Sequence, residues 1–107
     1  MYIASSSGVG VNVTATDIAS VNVPAGGYFI TAKLIMVNND GSSQNADCNL
    51  STGDDVELNL PGVGAAVYVL HDSATFGSTT TITLTCATFF GTVFNAKLAA
   101  LAVGGVN

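Results

Sequence analysis

Tryptophan and arginine are absent from this sequence, histidine occurs once, proline twice, and only 8% of the residues are charged. Each shortage excludes something. A phosphate backbone is gripped by clustered Lys and Arg, and here Lys33 and Lys97 stand against a net charge of −5, so nucleic acid and anionic membrane surfaces are poor partners. No apolar run approaches the ~20 residues of a spanning helix. Tryptophan, a frequent interface anchor, is not available. One histidine and no Cys-x-x-Cys pair exclude a zinc centre. The opening Met1 to Gly8 has neither the basic cluster nor the apolar stretch of a secretory signal, which fits a chain made in a cytoplasm or a mature or excised domain.

What is present is a two-residue alternation of apolar and polar side chains, repeated along the chain, with Ser, Thr, Asn and Gly in place of surface charge. That period marks strands with one face in a core. Residues 1–10, small and polar from Ser5 to Gly10, read as a flexible N-terminal arm. Residues 11–107 read as one domain, long enough to fold without a metal. Val11 to Val23 forms two short strands or one bent strand. Pro24-Ala25-Gly26-Gly27 turns the chain into a strand from Tyr28 to Val37 that is partly apolar on both faces and therefore central.

Asn38 to Ser43 is the longest polar loop. Ala46-Cys48-Leu50, Val56-Leu58-Leu60, Ala65 to Leu70 and Ile82-Leu84-Cys86 supply further strands, with a loop from Asp72 to Thr79. The last strand runs from Val93 to Val103 and ends at Gly104-Gly105. No helix is predicted. Seven or eight short strands separated by regular turns give an all-β, two-sheet antiparallel sandwich, with a jelly-roll connection preferred because the Cys-Trp-Cys pattern of antibody domains is missing.

Cys48 and Cys86 share a core-facing parity, beside Leu50 and Leu84. A disulfide between them is preferred over two packed free thiols. In the last strand, Ala96, Leu98, Ala100 and Ala102 lie on one face and Lys97, Ala99, Leu101 and Val103 on the other, so one apolar set needs a cover from outside the subunit. Leu98, Leu101 and Val103 are the candidate interface residues, in a homo-oligomer with a trimer favoured over a dimer. Lys33 and Lys97, on partly apolar faces, should each lie near a carboxylate.

Catalytic chemistry is hard to find. His71 adjoins Asp72 in a serine-rich chain, but no nucleophile motif such as Gly-x-Ser-x-Gly occurs, so no catalytic residue and no cofactor is assigned. No metal site is assigned either. Asp54, Asp55 and Glu57, with Asp40 and Asp47 as neighbours, are a calcium candidate whose spacing is not that of an EF-hand. Asn12-Val13-Thr14 and Asn49-Leu50-Ser51 match the glycosylation pattern, and chance is the preferred explanation in a chain so rich in Asn and Thr.

Val21-Asn22-Val23-Pro24-Ala25-Gly26-Gly27-Tyr28, Ala32-Lys33, Asp47-Cys48-Asn49-Leu50, Thr81 to Cys86 and Asn95 to Gly104 together resemble a small β-sandwich head module of actinobacterial and phage surface proteins. The layout is distantly similar to the trimeric heads of the tumour-necrosis-factor and complement type. The resemblance implies a non-enzymatic structural or adhesive module. No Gly-X-Y repeat precedes it, which favours a phage capsid-decoration or fibre-head protein on a virion surface, with a capsid or fibre protein as partner. The alternative is a bacterial cell-surface or secreted adhesion head that binds a protein or glycan.

Overall fold

The alternation becomes nine strands in the computed structural model, which describes residues 1–103. They are β1 (Tyr2–Ser6), β2 (Val9–Asn12), β3 (Thr16–Val23), β4 (Gly26–Asn38), β5 (Gln44–Leu50), β6 (Asp55–Leu60), β7 (Ala65–Phe76), β8 (Thr80–Thr88) and β9 (Phe90–Ala102). The described residues contain no helix. Sheet A has the order β1-β9-β4-β7, with β2 also on β9, and sheet B has the order β3-β8-β5-β6. All pairings are antiparallel.

The topology follows from one simple operation. Tyr2 faces Ala100, Val11 faces Gly91, Asp17 faces Thr85, Gly26 faces Phe76, Val37 faces Ala65 and Gln44 faces Leu60. Partners are therefore nearly equidistant from Ser51 throughout. The chain is one long antiparallel hairpin, and it wraps so that β9 pairs with β4 and β8 with β5. That winding is a jelly roll.

Between the sheets lie Ile30, Leu34 and Met36 of β4, Leu70 of β7, Ile82 and Leu84 of β8, and Leu98 and Ala100 of β9, all buried. Tyr68 crosses this core and donates its hydroxyl to the Ala46 carbonyl at 2.8 Å. That bond satisfies a polar group which would otherwise be stranded between two apolar layers. Cys48 and Cys86 are directly opposed on β5 and β8 and joined by a disulfide, with Cα atoms 4.1 Å apart.

Several expectations need correction. The first ten residues are not a free arm, because β1 and β2 complete the edge of sheet A and Ser6 Oγ donates to the Ile18 carbonyl at 2.8 Å. Val9, Val11 and Ala4 contribute to the core, and Gly8, at φ 72°, makes the break that keeps both short strands on β9. β7 continues to Phe76, through the segment read as a loop, because its long partner β4 supplies backbone bonds along that length. Leu58 is exposed, since β6 is the edge of sheet B. The strand end expected at Gly104-Gly105 lies outside the described residues.

Two bulges set which side chains face out. In β9 the register shifts between Lys97, opposite Lys33, and Phe94, opposite Ile35, with Asn95 at φ 52°. Gly91 and Val93 point inward before it, and Ala96, Leu98 and Ala100 after it. In β3 a bulge at Ile18 does the same between Ile18 and Val21. An inserted residue flips parity, so a strict alternation read across it misplaces one flank.

Candidate functional site

The two outer faces differ in chemistry. On sheet A, the register aligns Val69, Lys33, Lys97 and Ser5 in one row, with His71, Thr31, Ala99 and Ile3 on one side of it and Val67, Ile35 and Phe94 on the other. Phe29 and Leu101 pair beyond the histidine row. Ile3, Phe29, Val67, Val69, Phe94 and Leu101 are exposed in the single chain. The lysines thus sit mid-face, flanked by Val67 and Val69 at the β7 edge and by Leu101 and Ile3 toward β1.

This geometry revises the charge expectation. The cross-strand neighbours of Lys33 and Lys97 are Val69, Ser5 and each other, so neither faces a carboxylate. It also sorts the candidate interface residues. Leu98 is fully buried in the core, because the bulge at Asn95 turns even-numbered positions inward, and it forms no interface. Leu101 and Val103 remain outside, 45% and 49% exposed.

His71 is exposed and its ring stacks on Phe29, centroids 6.5 Å apart, while its backbone N–H donates to Asp54 Oδ2 at 2.9 Å. Asp72, the next residue along the strand, faces the opposite side, so no His-Asp pair assembles. Its Oδ1 instead accepts from the Ser73 N–H at 2.8 Å.

The outer face of sheet B is polar. Of the seven acidic residues, Asp17, Asp47, Asp55 and Glu57 lie on it, among Thr81, Thr83, Thr85, Asn45 and Asn49. Asp47 opposes Glu57, and burial, reinforced by a hydrogen bond to Asp55 and the charges of Asp55 and Glu57, pushes its carboxyl up to about 6. The calcium candidate does not form: Asp54 turns to the β7 backbone, Asp40 caps its own loop by accepting from Ser42 and Gln44, and among the described residues no group of three or more His, Cys, Asp or Glu side chains is placed to hold a metal ion.

A shallow depression of about 400 Å³ opens where β8 turns into β9, between exposed Phe89 and Val13 on one side and Gln44, Asn45, Asp47 and Glu57 on the other. Sequence reasoning passed over Phe89. Its only signal is the pair Phe89-Phe90 following the buried Thr88, two aromatics in succession where an alternating strand would bury one. A second shallow depression, about 460 Å³, lies beside Lys97 where Ser5 to Ser7 face the β9 bulge.

No family model and no curated protein matches the chain. Among solved structures, the chain is similar to the CBM35 from Cellvibrio japonicus Abf62, at 11% identity and TM-score 0.43, over 78% of this chain and 69% of that one. It is also similar to the exo-β-1,3-galactanase from Phanerochaete chrysosporium with galactose, at 12% identity and TM-score 0.34, over 91% of this chain. A further structure of that enzyme, with β-1,3-galactotriose, gives 12% identity and TM-score 0.36. This chain spans 29% of the galactanase.

Proposed function

We propose that this chain is a non-catalytic head module that self-associates through the outer face of sheet A and acts by presenting its remaining surface. The observation that carries this reading is the distribution of exposed apolar side chains. Ile3, Phe29, Val67, Val69, Phe94 and Leu101 gather on one sheet face, while the strands of sheet B show Thr, Asn and Asp to solvent. A sheet face that leaves this many apolar side chains exposed on both flanks of a lysine pair marks an interaction surface.

The lysine pair argues for how copies meet. A twofold contact centred on this face would bring Lys33 and Lys97 of both subunits together with no carboxylate among their cross-strand neighbours. A heterologous contact avoids that. It sets the Val67 and Val69 flank of one copy against the Leu101 and Ile3 flank of the next and closes after a few subunits, the trimer being the preferred ring. Sedimentation of the purified chain tests the reading.

Such a ring suits a capsid-decoration protein or fibre head on a virion, which works by packing. A cell-surface or secreted adhesion head is the second reading. It is favoured by the Cys48–Cys86 disulfide, which belongs in an oxidising compartment, and by the depression beside Phe89.

A further inference from the structure

We infer that the depression beside Phe89 on sheet B binds a neutral, hydroxyl-rich ligand of the saccharide class. The site deepens the adhesion reading and lies on the face opposite the proposed subunit contact, so it does not require self-association.

Its apolar wall is imposed by the backbone. A Cβ on Gly91 would fall 2.6 Å from Thr88 Cγ2 and 3.0 Å from the Val37 carbonyl oxygen, so glycine alone lets β9 leave β8 this tightly. Thr88 is drawn inside, where its hydroxyl donates to the Asn45 carbonyl at 2.9 Å, and Phe89 is left outward, 57% exposed. An aromatic ring exposed to water at this tight corner offers a platform for an apolar surface.

The polar wall is fixed by bonds within the protein. Asn59 Nδ2 donates to Asn45 Oδ1 at 2.8 Å, which orients the Asn45 amide and leaves its own N–H groups without a protein acceptor among the described residues. Gln44 Nε2 donates to Asp40 Oδ2 at 3.0 Å, leaving its oxygen as an acceptor. Glu57, exposed beside them, adds a carboxylate. A sugar ring has the matching surfaces, an apolar C–H face for Phe89 and rim hydroxyls that both donate and accept. The volume is within the range of small-ligand sites, and the Asn45 and Gln44 amides are already held by hydrogen bonds. Asp47, Asp55 and Glu57 oppose anionic ligands, which removes uronate and phosphate polymers from the class.

Affinity electrophoresis tests this with the disulfide-bonded chain in native gels cast with neutral polysaccharides (a glucan, a mannan, a xylan and a galactan), with alginate as the anionic comparator. At least one neutral polymer retards the protein. Phe89→Ala and Asn45→Ala each weaken the retardation at least tenfold, and Thr81→Ala, at the far end of the same face, does not. Amide resonances of Gln44 to Asp47 and Ala87 to Phe89 shift on titration with oligosaccharides of the retarding polymer. The inference is overturned by retardation in alginate alone, by none in any neutral gel, by retention in Phe89→Ala, or by shifts confined to sheet A. A polypeptide that occupies the Phe89 site while no neutral glycan does so also overturns it. None of these outcomes bears on self-association, which sedimentation reads separately.

Discussion

Lys33 and Lys97, the two cationic side chains of the protein, face each other directly across β4 and β9. Like charges opposed on neighbouring strands repel, and flanking Val69 and Ser5 offer neither a counter-charge. Lys33→Glu and Lys97→Glu are each expected to raise stability by about 0.2–1 kcal/mol, because each converts the repulsion into an ion pair. The double variant opposes two glutamates and forfeits the gain. Thermal denaturation at low salt measures the cycle, and equal gains in the single and double variants would contradict the pairing.

The disulfide links positions 38 residues apart in sequence and already paired on β5 and β8. Its reduction is expected to lower the unfolding free energy by about 2–4 kcal/mol, chiefly by freeing the unfolded chain. Urea titrations with and without reductant compare the two states. Superimposable curves would show that the bond contributes nothing.

Asp47 gives a pH signature. Its carboxyl is raised from 3.8 to about 6 by burial and by Asp55 and Glu57, so the folded state holds this proton more tightly than the unfolded one. The stability it contributes is complete below pH 3.8 and is lost as pH rises to about 6. Asp47→Asn keeps a neutral side chain throughout. The variant should gain on the wild type across that interval, with a constant difference above it. A difference that does not change between acid and neutral pH would refute the assignment.

Asn38 is a buried strut. Its Nδ2 donates to the carbonyls of Ser42 and Pro61 at 2.9 and 3.1 Å, and its Oδ1 accepts from Asp40 N–H at 3.0 Å. Asn38→Ala leaves those groups unpaired and should cost about 1–3 kcal/mol. Gly62→Ala should destabilise by a different route, because a Cβ there would collide with the Gly41 carbonyl. Chemical denaturation reads both, and a loss below 0.5 kcal/mol in both, roughly the noise of surface substitutions, would contradict this description of the loop.

Apolar residues on both faces, Tyr28, Ile30, Ala32, Leu34 and Met36 on one and Phe29, Ile35 and Val37 on the other, place β4 centrally, and the cysteine parity places β5 and β8 around a common core. Parity failed to show where the outer faces lie, because it says nothing about which strands neighbour one another. Lys33 and Lys97 are 64 positions apart and meet only through the winding of the hairpin. Residues 1–10 read as an arm because Ser5 to Gly10 is small and polar, yet the backbone bonding of β1 and β2 to β9 needs little from side chains. Phe89 was illegible for a related reason: its exposure depends on the close approach that Gly91 permits.

Sedimentation velocity on the purified chain, with and without Val69→Asp and Phe94→Asp, decides whether the outer face of sheet A is a subunit contact. Both positions are exposed on sheet A, so the subunit fold should survive, and circular dichroism checks that it does. The expected result is a closed oligomer, a trimer in preference to a dimer, that either substitution dissociates into folded monomers, with Thr83→Asp on sheet B leaving it intact. A wild-type chain that sediments as a monomer at high concentration, or an oligomer indifferent to both substitutions, would contradict it.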